Sequence, residues 1–487
     1  FISRYKSAVL LKMVEEVIMI FNFLCFAVFL LMTLSIYFTV PEKIRSIWLL
    51  LVSYAFGLTY GRKSFFILVC STVISYLFGI ALDRVKYKRQ DNRQLIILLL
   101  AGVLFCILPF LIGKINKYSL FVGVGMSFYL LQQIGYLIDI FYGRCHAEKN
   151  FIRYALFIAF FPKLVSGPIE RSDNLMKQIK EIPMAAFDYD RVKNGLLLMG
   201  WGYFQKSIIA DSLDIYVSQV YEQWEAYSGG TLGLATIVFA FQLYADFSGY
   251  TNIALGAAQV LGFRLLDNFR QPYLSNSIKE FWRRWHISFS SWLRDYIYIP
   301  LGGGRKGNIR RYMNLMITFL VSGFWHGSSW NFVAWGMLHG GFQVLEDICS
   351  RIQIKVVRKG KFVNVVKRIY VFVLVDIAWI FFRASGLMAA IGILKKMISN
   401  FSLINIKNDI FSALHLNASQ ILLMIMAIVL LVAVDLIHER GVCIREVLRE
   451  KNIMVRWICY LTIILVLTLT GIRRWGVEAS DFIYMQF

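Results

Sequence analysis

Acidic residues are scarce in this chain: 30 Asp and Glu stand against 52 Lys and Arg, a formal net charge of +22 over 487 residues. Such an excess would suit a nucleic-acid partner if the cations lay together on one soluble face. They do not. They gather in connecting segments between apolar runs, in "DRVKYKRQDNR", in 264–311, in "RIQIKVVRKGKFVNVVKR" and in "ERGVCIREVLREKNIMVR", so no nucleic-acid role is expected. Cysteine is sparse as well. The seven are scattered, mostly inside apolar runs, with no C-x-x-C pair and no close Cys/His spacing, which argues against a disulfide framework and against a structural zinc site. There is no tandem repeat, no Ser/Gly- or Pro-rich linker and no G-x-S-x-G elbow. A modular soluble architecture and a hydrolase built on that elbow are thereby excluded.

What the chain has instead is apolar surface. Hydrophobic residues make up 58% and aromatic residues 16% of it, and the mean hydropathy is +0.59, well above a soluble protein of this size. Apolar runs of membrane length recur throughout, most clearly at 17–40, 64–82, 95–113, 118–141, 421–437 and 458–472. With weaker and shorter candidates between them, roughly ten to twelve membrane segments are expected, some of them partial. The composition predicts an all-α polytopic membrane protein with no soluble domain left over. The opening "FISRYKSAVLLKMVEEV" lacks a small-residue cleavage site and reads as an interfacial helix over 1–16 and not as a signal peptide.

The basic segments alternate with segments poor in Lys and Arg, such as "YEQWEAYSGG" and 401–419, which holds only Lys407. That asymmetry places the basic segments on the cytoplasmic side and the carboxyl-terminal "VEASDFIYMQF" outside, with "GKINK" as the exception. Two long polar stretches then face the cytoplasm, 162–191 and 264–311. In the second, Ile278, Phe281, Trp282, Trp285, Phe289, Trp292 and Leu293 recur at spacings of three and four. They predict one amphipathic helix over 278–293 lying along the inner interface, with His286 at the edge of its apolar face. Read by itself this is an anchoring helix. The following "PLGGGRKGNIRR" is a flexible cationic loop able to hold phosphate, although it lacks a Walker A pattern and such loops commonly serve only as topology determinants.

The segment "SGFWHGSSW", Ser322 to Trp330, ends an apolar run on a histidine. From Arg311 to His326 is fifteen residues, about 22 Å of helix at ~1.5 Å per residue, short of the ~30 Å hydrocarbon core. The chain then returns to the basic segment at 351. His326 is therefore expected at the tip of a hairpin, 312–347, buried in the bilayer, where an ionisable side chain is read as functional. His339, on the returning arm, is expected to pack. A buried histidine of this kind can take a proton from a hydroxyl that attacks an activated carbonyl.

The blocks "FPKLVSGPIERSDNL", "YADFSGYTNIALGAAQVLGF", "FWRRWHISFSSWLRDYIYIPLGGGRKG", "SGFWHGSSWNFVAWGMLHG" and "DFIYMQF" resemble the membrane-bound O-acyltransferase (MBOAT) family over nearly the whole chain, in particular its bacterial alginate O-acetylation branch and more distantly its teichoic acid D-alanylation branch. The resemblance implies a single membrane domain over 1–487, a ring of tilted helices around a tunnel, and a bacterial plasma-membrane location. It implies a catalytic role for His326 and a functional role for His286 in the cytoplasmic funnel. The donor it implies is a thioester substrate, acetyl-CoA or an acylated carrier protein, with no bound cofactor and no metal. The donor would dock near Arg283, Arg284, Arg305 and Lys306, with Trp282 and Trp325 supporting the site. The acceptor would be an extracytoplasmic hydroxyl, reached with an SGNH-type partner in relatives of the alginate type. Asn252 stands where many relatives carry an acid, which leaves Asp246 as the nearby carboxylate. It is expected to orient a histidine, to hydrogen-bond Tyr244 or Ser248, or to cap a helix. Asn331 is expected to position substrate or, in preference, to cap the returning arm. A transporter of glycan or acyl intermediates with His326 in gating, and a non-catalytic scaffold, are the competing readings. The former is disfavoured because one odd hairpin has no counterpart in the other half.

Overall fold

The structure, a computed structural model, describes residues 23–89, 91–116, 125–182, 187–351, 360–410 and 417–473. The expected interfacial helix at 1–16 and the carboxyl-terminal segment lie outside the described residues. Those described are helical, with no strand among them. Among the described residues, four helices are long and apolar enough to cross a membrane: Arg62–Tyr87, Asn92–Lys114, Gly229–Leu261 and Ala418–Glu439. Cys25–Thr39 and Ile453–Leu469 are shorter apolar helices. Of the six runs singled out above, five coincide with these helices in whole or part; the sixth gives the helix Met126–Tyr142. The helix Gly229–Leu261 was not among them, because Gln242, Asp246, Ser248 and Thr251 dilute its hydropathy. All four are buried, and a polar group inside a membrane protein is acceptable where protein encloses it.

The chain forms two compact units. The first takes the chain to Tyr203, the stretch Thr251–Leu266 and the helix from Trp457. At its centre the short helix Phe151–Ala159, capped by the Asn150 side chain, leads into a 3-10 turn, Phe161–Lys163, and an irregular stretch through Glu170, buried along its length. Every polar group that enters this apolar centre needs a partner, and several are visible. The Tyr154 hydroxyl donates to Ser75 Oγ at 2.8 Å, Gln132 Nε2 donates to the Phe157 carbonyl at 2.8 Å, and Lys163 Nζ donates to the Ile158 carbonyl at 2.8 Å. Glu170 accepts from the Leu266 amide at 2.6 Å. The polar stretch expected at 162–191 is thus not a solvated loop at its start. Burial drives the Lys163 amine down and the Glu170 carboxyl up, both toward neutrality. Gly125, at φ +71°, lies against this stretch: a Cβ there would come within 2.2 Å of the Leu164 carbonyl oxygen.

The second unit takes Phe204–Tyr250 and Asp267–Arg456. Its centre is a helical hairpin, Gly307–His326 and Trp330–Arg351, which realises the arms read over 312–347. Two glycines let the arms touch. A Cβ on Gly323 would sit 2.3 Å from the Phe332 carbonyl oxygen, and one on Gly336 would sit 2.3 Å from that of Phe319, so at this crossing the backbones themselves are in contact. The helix Lys361–Arg383 packs on the returning arm and supplies the large rings Trp379 and Phe382, both fully buried.

Candidate active site

His326 is the last residue of the first hairpin arm, fifteen residues after Arg311 in unbroken helix as the spacing demanded. It is buried and enclosed by rings: Trp325 at 4.8 Å between centroids, Trp335 at 4.9 Å, Phe382 at 5.3 Å and Phe289 at 5.7 Å. All four present themselves edge to face, the arrangement the ring quadrupole favours.

Asn331 lies inside the second arm and not at its cap, as had been expected. Its Nδ2 donates to the carbonyls of Phe381 at 3.0 Å and Ala384 at 3.1 Å, the last turn of the helix Lys361–Arg383. Carbonyls at a helix end have no partner within the helix, so this one amide ties the tip beside His326 to its neighbour.

The expected single helix over 278–293 is two helices, Ile278–Arg284 and Ile287–Leu293. Between them His286 adopts φ +45°, ψ +53°, the left-handed region that a residue other than glycine seldom enters. The break turns His286 away from the interface into the protein, where it is 1% exposed. Asn268 holds the turn. Its carbonyl accepts the Ile287 amide at 2.9 Å, and its Oδ1 accepts Ser288 Oγ at 2.6 Å and the His286 Nδ1 proton at 3.4 Å. Burial pulls the His286 imidazole down to about 3, so it is neutral at physiological pH. Its ring stacks on Phe289 at 4.9 Å and meets Trp325 at 6.2 Å. The two histidines, forty residues apart, therefore share the Phe289 and Trp325 wall.

Trp282 faces elsewhere. Its Nε1 donates to His339 Nδ1 at 3.3 Å, and His339, fully buried, packs against Trp335 at 4.9 Å. Trp335 thus has His326 on one contact and His339 on another. His339 packs as expected, but it packs within the ring cluster of the site.

Asp246 is neither a helix cap nor bonded to Tyr244 or Ser248. It lies inside the helix Gly229–Leu261 and forms an ion pair at 2.8 Å with Lys206, which also meets Asp211 at 2.9 Å. Ser248 accepts instead from Gln205 at 2.8 Å, and Tyr244 donates to Asp435 at 3.1 Å. Lys206 is the site-region residue that sequence reasoning missed. A lone lysine in "GLLLMGWGYFQKSIIA" is itself an intramembrane-type charge and called for a carboxylate partner.

The four cations expected to receive the donor separate into two groups. Arg283 and Arg284 line a cavity of about 560 Å³ with Arg270, Ser277 and Lys279. Arg284 is neutralised there: it forms a two-pronged pair with Glu439 at 2.6 and 3.1 Å and reaches Glu280 at 2.6 Å. Arg283 and Lys279 are exposed and give the cavity its positive character. Arg305 and Lys306 do not line it. They stand exposed on the glycine turn, which Asn314 Nδ2 secures through the carbonyl of Gly303 at 2.9 Å.

The described residues form a polytopic helical protein with a buried hairpin that carries a histidine at its tip, and comparison with known proteins gives the family. The family model of the membrane-bound O-acyltransferases matches residues 147–387, a span that holds His286, His326 and Asp246. The chain belongs to this family: it is an acyltransferase and a multi-pass bacterial membrane protein. It is 33% identical to the probable alginate O-acetylase of Azotobacter vinelandii, over 74% of each chain. It is 32% identical to the peptidoglycan O-acetyltransferase of Helicobacter pylori, over 72% of this chain and 73% of the relative. To the teichoic acid D-alanyltransferase of Streptococcus thermophilus it is 27% identical, over 58% of this chain and 72% of the relative.

Proposed function

We propose that the chain transfers an acetyl group from a cytoplasmic thioester, acetyl-CoA or an acylated carrier protein, to a hydroxyl of an extracytoplasmic polysaccharide or of an SGNH-type partner protein. His326 is the general base. The observation that carries this reading is the enclosure of His326 by Phe289, Trp325, Trp335 and Phe382 at the end of a hairpin arm. An imidazole in such a setting has little water to compete with a substrate hydroxyl.

In the proposed step the acceptor hydroxyl gives its proton to His326 while its oxygen bonds to the thioester carbonyl carbon. The carbon–sulfur bond then breaks, and the imidazolium returns the proton to the departing thiolate. No acyl-enzyme is needed. The donor's phosphates suit the cavity beside Arg270, Lys279 and Arg283, and Arg284, already saturated by Glu280 and Glu439, holds its wall. His286, neutral, lines the donor's path through the wall it shares with His326. Acetyl is preferred to D-alanyl because the alginate and peptidoglycan O-acetyltransferases match more of the chain at higher identity than the D-alanyltransferase does.

The test is acyl transfer by the purified protein in lipid nanodiscs, with radiolabelled acetyl-CoA or labelled carrier and a hydroxyl acceptor. His326→Ala is expected to lower turnover by about 10²- to 10⁴-fold, the usual worth of a general base. Undiminished transfer by a folded H326A protein would overturn the assignment, and transfer of D-alanine but not acetate would replace the donor.

A further inference from the structure

The outer side of the hairpin carries an apolar groove of about 590 Å³ that the acyl-transfer reading does not use. Ile309, Met313, Met316 and Ile317 form one wall and Gly341 and Leu345 the other. At Gly323 and Gly336 the arms touch through backbone, whereas an added Cβ on Gly341, which lines the groove, would meet nothing within 4 Å. The groove runs along the hairpin to Ile309 and Leu345. The one polar lining side chain, Tyr312, turns its hydroxyl to Asp347 at 2.8 Å.

The Ile309 end is cationic. Arg305, Lys306 and Arg310 are exposed there, while Arg311 and Arg351 converge on Asp347. The nearby Glu346 is committed to the amides of Ile278 and Lys279, at 3.2 and 3.3 Å. The same end is the amino terminus of the helix Gly307–His326, which has no side-chain cap and no acidic residue in its first turn. A helix start with free amides and basic side chains calls for an anion, by the dipole and by hydrogen bonding alike.

We infer that this groove binds an anionic phospholipid, one acyl chain lying along the groove between the arms and the phosphate resting at Arg305, Lys306 and Arg310 on the helix start. An apolar trough continuous with a cationic mouth matches a lipid, whose tail and headgroup are joined; a free phosphate or a nucleotide would leave the trough unused. Juxtamembrane cations of this kind attract anionic headgroups, and each buried methylene adds to the binding.

The experiment uses the full-length protein in a neutral detergent, titrated with phosphatidylglycerol or phosphatidylcholine and read by native mass spectrometry. Phosphatidylglycerol is expected to bind about tenfold or more tightly than phosphatidylcholine. Gly341→Leu places a side chain in the groove at a position where an added Cβ meets nothing within 4 Å, so it should fold with an unchanged unfolding temperature and lose phosphatidylglycerol binding by about tenfold. The combined R305A/K306A/R310A variant should bind both lipids equally. Equal affinity of the wild type for the two lipids would overturn the proposal, as would full phosphatidylglycerol binding by the G341L protein. Displacement of the lipid by inorganic phosphate or by coenzyme A would also overturn it, by moving the mouth to a phosphate or donor site.

Discussion

The ring of Phe289 lies 4.3 Å from that of Trp325, and this contact joins the two halves of the site. Phe289 belongs to the helix that follows His286; Trp325 immediately precedes His326. Their contact sets both histidines against a single aromatic wall. Four consequences can be measured.

The tip depends on Asn331. Replacing it with Leu removes two hydrogen bonds and exposes the carbonyls of Phe381 and Ala384 to an apolar neighbour. Each lost bond to a buried acceptor costs about 1–3 kcal/mol, so Asn331→Leu should lower the unfolding temperature. Turnover should fall more than the KM for the donor rises, because the loosened tip carries His326. A variant with wild-type stability and kinetics would show that the amide positions nothing.

Lys206 pairs with both Asp246 and Asp211. Lys206→Met removes that shared cation from two buried carboxylates and should destabilise by roughly 3–5 kcal/mol, the usual cost of breaking a buried pair on one side. Asp246→Asn leaves Lys206 paired to Asp211 and should cost much less. Thermal unfolding of both variants in detergent checks the order, and acyl-transfer rates check whether Asp246 does more than neutralise: a folded D246N enzyme with turnover lost would return it to the chemistry.

The backbone at His286 and its burial make opposite demands on a substitute. Asn tolerates φ +45° better than most residues and does not titrate. The folded-state pKa of His286, about 3, lies below its ordinary 6.5, so between these values the unfolded chain binds a proton that the folded one refuses. Stability therefore falls as pH drops from 6.5 toward 3, by at most ~1.4 kcal/mol per pH unit for one group. His286→Asn should remove this slope, flattening the unfolding free energy by about 2 kcal/mol between pH 6.5 and 5. Acyl transfer should persist in the variant; its loss from a folded H286N protein would make His286 the base.

The hairpin crossing tolerates no side chain. Gly336→Ala places a methyl 2.3 Å from the Phe319 carbonyl oxygen, a backbone atom that cannot rotate aside, so the arms must part and His326 must shift with them. Loss of transfer together with a lowered unfolding temperature is expected. The neighbouring Gly341→Ala, with nothing within 4 Å, should be silent in both measurements and serves as the control.

Much of this was legible in the residues. The apolar runs, the fifteen-residue reach from Arg311 to His326 and the returning arm are local properties: period, length and composition dictate them, and the helices fall where the pattern put them. The role of the F-W-H-G block as a hairpin tip followed from rise per residue and bilayer thickness alone. Local periodicity also misled, because it cannot report a break. The three- and four-residue spacing from Ile278 to Leu293 continues through Trp285 and His286 as though the helix did too. Asn268, eighteen residues upstream, bonds the left-handed turn at which the imidazole points inward. Pairings of this kind depend on which surfaces meet. Asp246 was visible and Lys206 was visible, yet nothing between them in the chain said that they would share a charge; nor did sequence say that Asn331 would bond the end of a helix fifty residues away. A buried polar group must find a partner, which the sequence could require, and only the packed helices could decide which one.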